Sequence, residues 1–285
     1  MSAIAIEHRD GVAHIALARP DKRNALSLAL QQELADALWD ADERTDIHCV
    51  VISGQGQDFC AGYDLGEQPQ RDTTRRGART IDDDIWQLER QQRLRMTIFD
   101  MHKPVIAAVH GRCLAGGTDV AFLADMVIAA DDAVIAFPPA RDLGSLPNQM
   151  WLYHCGPQWA KRLLLTGDSI NGKDAAGIGL VLKSVPADEL TAEVEHLARR
   201  MALIDPDLLS TQKRIVNLGL ELMGARTLQR LACENDARGH RARAADTFRN
   251  TVKEHGLKAA FAQRDEKFGD SFVDPLAPEH SKRTS

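Results

Sequence analysis

The stretch H-G-R-C-L-A-G-G-T-D, His110 to Asp119, follows the apolar run V-I-A-A-V, Val105 to Val109, and precedes the apolar segment Val120 to Leu123. The run reads as a short buried strand, so the whole reads as strand, glycine turn, helix. Gly116 and Gly117 let the backbone approach a ligand with no Cβ in the way, and the first N–H groups of the following helix have no intrahelical partner. Such donors suit a developing oxyanion, and Asp119, one turn into the helix, would place a carboxylate beside it.

A Gly-Gly turn by itself is an ordinary structural turn. What singles this one out is a second copy upstream, V-V-I-S-G-Q-G-Q-D-F-C-A-G-Y-D-L, Val50 to Leu65. A β-branched run again ends in a glycine-containing loop, and Ala61, Gly62 and Asp64 repeat the order of Ala115, Gly116 and Asp119. A recurrence at about 50 residues is the upper end of the spacing of stacked structural repeats. Two parallel strands ending side by side could aim two N–H groups at one point, but nothing in the residues alone makes them converge.

A chain of 285 residues, 44% hydrophobic and 27% charged, is globular and long enough for one large core with an appendage. The net charge of −6 argues against a general nucleic-acid binder while leaving room for a small basic pocket that takes phosphates. Cys49, Cys60, Cys113, Cys155 and Cys233 form no C-x-x-C pair, and neither a signal peptide nor a long apolar span is visible. A soluble protein of a reducing cytoplasm, off the membrane, is the simplest expectation.

In chain order, Ile4 to His8 and Val12 to Leu17 around Asp10-Gly11 predict a β-hairpin. Ser27 can cap a helix that carries Leu30, Leu34, Ala37, Leu38 and Ala41 on its core face and ends near Thr45. Glu67 to Asp84, with blocks of Arg and then Asp, reads as a solvated loop, and Ile85 to Met101 as a surface helix using Ile85, Leu88, Leu94 and Ile98. Met126 to Ala130 and Ala133 to Phe137 read as strands. The segment from Leu163 predicts helix, turn, helix, and Leu190 to Met201 another amphipathic helix. Asp205-Pro206 breaks the chain, so residues 1–204 form the core and 205–285 a helical region, with a disordered tail after Asp274.

The two A-G motifs, together with R-P-D-K-R-N-A-L (Arg19 to Leu26), K-P-V-I-A-A-V-H-G (Lys103 to Gly111) and L-T-G-D-S-I (Leu165 to Ile170), resemble the enoyl-CoA hydratase/isomerase (crotonase) superfamily from about Ile4 to Phe268. The resemblance implies an α/β fold, a spiral of repeated ββα units followed by C-terminal helices that build a homotrimer or a dimer of trimers. It also implies an acyl-CoA thioester substrate, with CoA as part of the substrate and no metal or separate cofactor. The Tyr63 and Gly116 N–H groups would hold the thioester oxygen, and Asp119 would move a proton. Lys22, Asn24 and Ala25 would line the CoA adenine and phosphates. Ala61, Gly62, Asp64, Leu65 and Gly117 would surround the thioester, and Phe261 and Arg264 of the last helix would reach the CoA of an adjacent subunit.

One departure bears on the reaction. Hydratases of this superfamily carry a glutamate after the glycine turn and a second after a proline in the later segment. Here the first place holds Asp119 and the second falls on Ala140, within P-P-A-R-D-L-G-S-L-P-N-Q-M, Pro138 to Met150. Asp142 is the substitute if the loop register differs by two residues; Tyr63, Tyr153 and His154 are weaker acid/base candidates. Three readings therefore stand together: a hydratase or double-bond isomerase, a hydrolase or C–C bond-cleaving enzyme, and an acyl-CoA binder without catalysis.

Overall fold

Asp10 and Gly11 both take positive φ, as a tight hairpin turn requires, and β1 (Ile4–Arg9) pairs antiparallel with β2 (Val12–Leu17) from Ile4 opposite Leu17 to Arg9 opposite Val12. The hairpin opens a computed structural model that describes residues 2–66 and 80–277. Ser27 caps α1 (Leu28–Glu43), its hydroxyl accepting the Leu30 N–H, and α1 buries all the expected core residues together with Ala35 and one polar residue, Gln31.

Four more strands follow apolar runs, β3 (Cys49–Gly54), β4 (Val105–Val109), β6 (Met126–Ala130) and β7 (Val134–Ala136), and a fifth, β5 (Arg112–Leu114), forms within the stretch read as a turn, by pairing with β7. With β8 (Ser169–Asn171), β9 (Lys183–Val185) and β10 (Phe272–Val273) they form two sheets, one ordered β1-β2-β3-β4-β6-β9 and a smaller one ordered β10-β8-β7-β5. The chain alternates between them. After β4 in the large sheet come β5 in the small one and α3 (Gly116–Leu123); β6 and β7 repeat the step before α4 (Trp151–Leu164), and β8 leads through α5 (Gly172–Gly177) to β9. This is the spiral of ββα units, with β3, β4 and β6 pairing in parallel at its centre. All five residues of β4 are buried, which is why it reads as an unbroken apolar run without alternation.

Three expectations change. The acidic end of the polar stretch is helical: α2 spans Ile81–Asp100, capped reciprocally by Thr80 and Asp83, with Asp82, Asp83 and Asp84 in the first turn where the helix dipole favours them. The part from Glu67 to residue 79 lies outside the described residues. Of the four apolar residues expected on its face, only Ile98 is fully buried; the same face buries Gln92 and Arg95. Between Leu163 and Val181 a strand, β8, replaces the simple turn, because Ile170 is buried where β8 pairs with β7 and β10.

Three helices follow α6 (Leu190–Ala202): α7 (Pro206–Leu222), α8 (Ala225–Gly239) and α9 (Arg243–Asp265). Lys213 pins α7 to the core. Its buried ammonium pairs with Asp125 at 2.9 Å and donates to the carbonyls of Ile98 and Lys103 at 3.0 and 3.1 Å. A buried charge partnered this fully is tolerated, whereas removing one partner would strand the other. Beyond α9 the chain returns to the small sheet, β10 pairing in parallel with β8. The expected disordered tail falls largely on residues 278–285, outside the described residues.

Candidate active site

β3 and β4 run parallel as neighbours, and the turns that follow them stay together. Cys60 and Cys113 form a parallel bridge in which Cys60 N–H donates to the Arg112 carbonyl and Leu114 N–H to the Cys60 carbonyl, both at 2.9 Å. Gly62 has φ +103, and a Cβ there would lie 2.9 Å from the Cβ of Ala115 and 3.6 Å from the nitrogen of Gly116. The two A-G turns are therefore in contact. Ala115, between β5 and α3, has φ 48 and ψ −118, a strained conformation costing about 1–3 kcal/mol for a residue with a side chain.

Gly116 is the first residue of α3, so its N–H has no helical acceptor. The bridge between Leu26 and Tyr63 uses the Gly62 carbonyl and the Asp64 N–H and leaves the Tyr63 N–H out. Among the described residues neither N–H has an acceptor. A Cβ on Gly116 would meet Cε1 and Cζ of Tyr63 at 2.9 Å, so the phenol ring lies directly over that turn.

Asp119 is 2% exposed. Its Oδ2 accepts a hydrogen bond from the Tyr63 hydroxyl and lies 3.7 Å from Nε of Arg95, while its Oδ1 has no partner among the described residues. Burial pushes the carboxyl up to about 7, against the lowering pull of the Arg95 guanidinium and the Tyr63 hydrogen bond. Burial likewise holds the Tyr63 phenol well above its ordinary range. A carboxyl poised near neutrality is suited to take and return a proton.

The residues that hold this pair were not legible as site residues. Arg95 is 1% exposed, donates from Nε to Asn148 Oδ1 at 2.8 Å and from Nη1 to Gln31 Oε1 at 2.5 Å, and stacks 5.3 Å from the Tyr63 ring. Asn148 in turn donates to Gln229 Oε1 at 3.3 Å. Asp236 on α8 accepts the Ser145 N–H at 2.8 Å and adds to the upward push on Asp119. The one signal for Arg95 was its place a turn after Gln91 and Gln92 and a turn before Ile98.

Asp142 lies in a different cluster. Its carboxyl is 3.9 Å from Arg264 and is pushed to about 6 by burial, and no hydrogen bond or ion pair among the described residues joins it to Asp119. Arg264 pairs with Asp265 at 2.8 Å and stacks 4.9 Å from Phe261, so both last-helix candidates sit with Asp142 within one chain. The Lys22 loop packs against the first A-G turn, Ala61 N–H donating to the Arg23 carbonyl and Leu26 N–H to the Gly62 carbonyl. Lys22 is exposed, whereas the Asn24 side chain is buried and fully engaged, donating to the carbonyls of Gln55 and Asp58 and accepting the Arg19 N–H. Ala25 and Asp64 are tied together by Arg19, which donates to the Ala25 carbonyl at 2.6 Å and pairs with Asp64 at 2.8 Å. Gly117 is buried behind Cys60, and Leu65 is exposed at the rim.

The sequence signature of the enoyl-CoA hydratase/isomerase family matches residues 7–269. The chain belongs to that family. Among solved structures, an enoyl-CoA hydratase from Mycobacterium smegmatis superposes with a TM-score of 0.89 at 34% identity, covering 95% of this chain and 96% of that one. An enoyl-CoA hydratase/isomerase from Xanthobacter autotrophicus Py2 gives 0.86 at 33%, covering 94% and 98%. Among curated relatives, the 2,3-dehydroadipyl-CoA hydratase of Escherichia coli K12 is 33% identical over 226 residues, 78% of this chain and 84% of that protein. The carnitinyl-CoA dehydratase of Proteus mirabilis is 30% identical over 224 residues, 75% of this chain and 80% of that protein. The chain is thus a crotonase-type enzyme of the hydratase/isomerase family.

In a hydratase/isomerase with so buried a carboxyl, the site opposes stability at neutral pH. Asp119 binds its proton more tightly folded than unfolded, so its contribution is fully present below about pH 4 and is lost as pH rises through about 7. Asparagine cannot titrate. Denaturant unfolding of wild type and Asp119→Asn should therefore show wild type losing about 2–4 kcal/mol relative to the variant between about pH 4 and pH 8. Parallel stability curves would contradict the raised carboxyl.

Proposed function

We propose that the Tyr63 and Gly116 N–H groups form an oxyanion hole for the carbonyl oxygen of an acyl-CoA thioester, and that Asp119 moves the proton at the α or γ carbon of the enolate it stabilises. One observation carries this reading: two N–H groups without acceptors among the described residues, on turns in contact, stand with a buried carboxyl poised near neutral pH. Losing one such donor typically costs about 3–4 kcal/mol in the barrier. Proton transfer of this kind needs neither a metal nor a redox cofactor, and CoA enters only as part of the substrate.

The reaction is of the enoyl-CoA hydratase/isomerase type. The relatives named for adding water to, or removing it from, a CoA thioester support this class. Ala140 at the second acid place and the separate position of Asp142 favour a mechanism in which Asp119 alone takes and returns the proton. The same observation is what a hydrolase, a C–C bond-cleaving enzyme or an inactive acyl-CoA binder would also present, and activity separates them. Lys22, Arg19-anchored Ala25 and Asp64, and the backbone at Asn24 form the CoA-facing loop in this reading, with Phe261 and Arg264 serving a neighbouring subunit.

Homotrimers or dimers of trimers fit the outer face of α7, where Leu208, Ile215, Val216, Leu218 and Leu222 are exposed. Five free thiols accord with a cytoplasmic enzyme, no helix of the described residues is long and apolar enough to cross a membrane, and the net charge of −6 speaks against nucleic acid.

Crotonyl-CoA and longer 2-enoyl-CoAs, followed spectrophotometrically, should be turned over by wild type, and Asp119→Asn should lower the rate roughly 10²–10⁴-fold while thioester affinity changes little. Full activity of Asp119→Asn with loss in Asp142→Asn would move the catalytic carboxylate to the Pro138 to Met150 segment. Binding of the thioesters without turnover of any would favour the non-catalytic reading. Light scattering at micromolar concentration should give a trimer or its double, and a monomer would contradict the assembly.

A further inference from the structure

Tyr63 contributes to the site twice. Its main-chain N–H is one of the two donors without an acceptor among the described residues, and its side chain folds back over Gly116 to donate a hydrogen bond to Oδ2 of Asp119. The same Oδ2 also faces Arg95, whereas the buried Oδ1 has no partner among the described residues. The two oxygens of one carboxyl are thereby made unequal. Among the described residues no hydrogen bond joins another carboxyl to Asp119, and Asp142 faces Arg264 at 3.9 Å.

We propose that the Tyr63 hydroxyl is the positioning residue for Asp119, holding Oδ2 so that Oδ1 is the atom that takes the substrate's proton and returns it. The proposal rests on the function argued above and goes beyond it by assigning a role to the phenol and to one oxygen of the carboxyl. In the step itself a C–H bond at the substrate breaks, its electron pair enters the enolate, and the proton goes to Oδ1; the return reverses this at the same or another carbon. The Tyr63 O–H stays on Oδ2 throughout and no proton leaves it.

One residue therefore ties the base to the place where the enolate oxygen sits, so that the distance between them is set by a single side chain. One hydrogen bond, from Tyr63, and one ion-pair contact, with Arg95 at 3.7 Å, fix the carboxyl before substrate arrives, the kind of preorganisation that lowers a barrier without strengthening ground-state binding. The groups that face Asp119 from the surrounding elements are Arg95 on α2, Asp236 on α8, and the thiols of Cys60, Cys113 and Cys233. Burial, the largest influence, and Asp236 oppose the ionised carboxyl, and Arg95, the Tyr63 hydroxyl and the nearby backbone N–H of Asn148 favour it.

The chain has two tyrosines, Tyr63 and Tyr153, and the half-buried Tyr153 donates to the Met223 carbonyl in a hydrogen bond open to solvent, with no hydrogen bond to Asp119, which makes Tyr153→Phe the control. With whichever 2-enoyl-CoA wild type turns over, Tyr63→Phe should lower kcat about 10- to 100-fold with KM within about threefold, because it removes a hydrogen bond to a charged group. The acid limb of its pH profile should move up from about 7 by about one unit, while Tyr153→Phe leaves both unchanged. An unshifted limb with full kcat, or a change confined to KM, would overturn the proposal. Titration of ¹³C-aspartate-labelled protein by NMR reads the Asp119 midpoint directly, even if no thioester is turned over and the functional reading fails. An unchanged midpoint in Tyr63→Phe again overturns the proposal, and a rise supports it. Should Tyr63→Phe fail to fold, 3-fluorotyrosine in the Tyr153→Phe background makes Tyr63 a stronger donor and should lower the midpoint; no movement would count against the role.

Discussion

The pairing of Cys60 with Cys113 is the constraint on which the site depends. Two backbone hydrogen bonds at 2.9 Å join the turn after β3 to the strand after β4, and through them two A-G motifs 54 positions apart (Ala61 to Ala115) become one surface. Parallel strands can bring such turns side by side only when both keep close to the backbone of the other, and Gly62, in contact with Ala115, permits that approach. The strained φ of Ala115 is the local cost of starting α3 from so tight a corner.

Around that corner the protein buries charge where a hydrophobic core would be more stable. Asp119 and Arg95 are both nearly inaccessible and 3.7 Å apart; Asn148 and Gln31 accept from Nε and Nη1 of Arg95, while Oδ1 of Asp119 and Nη2 of Arg95 have no partner among the described residues. Burial destabilises the ionised carboxyl more than Arg95 and Tyr63 stabilise it, and the result is a midpoint near 7 where an exposed aspartate would titrate near 4. The same desolvation that weakens the fold at neutral pH makes the carboxyl basic enough to move a proton. Stability is given up at the position where reactivity is gained, as active sites generally do.

How far the residues announced this differs between elements. β4, β6 and α1 were readable because an unbroken apolar run and a Ser27 cap leave few other local solutions, and Asp119 was readable because it follows a repeated glycine motif. The start of α2 was misread because Asp82 to Asp84 look like a solvated charge run, although acids are what a helix N-terminus favours. Arg95 was missed for a related reason: an arginine on an amphipathic helix is ordinarily on its wet face, and only the tertiary partners Asn148 and Gln31 make it a buried one. β8 and β10 are short strands made by pairing, with no periodicity of their own. The Tyr63 hydrogen bond to Asp119 depends on the contact between two turns and so had no local signal.

The central claim is geometric, that the thioester oxygen sits between the N–H groups of Tyr63 and Gly116 with Oδ1 of Asp119 facing the reacting carbon. A crystal structure of the protein with a bound enoyl-CoA or acetoacetyl-CoA measures it directly. The account predicts the thioester oxygen about 2.7–3.1 Å from both nitrogens, the reach of an oxyanion donor, with Oδ1 the nearer carboxyl oxygen to the α or γ carbon. A thioester bound with its oxygen away from either nitrogen, or with Asp142 the carboxyl nearest the reacting carbon, would contradict it.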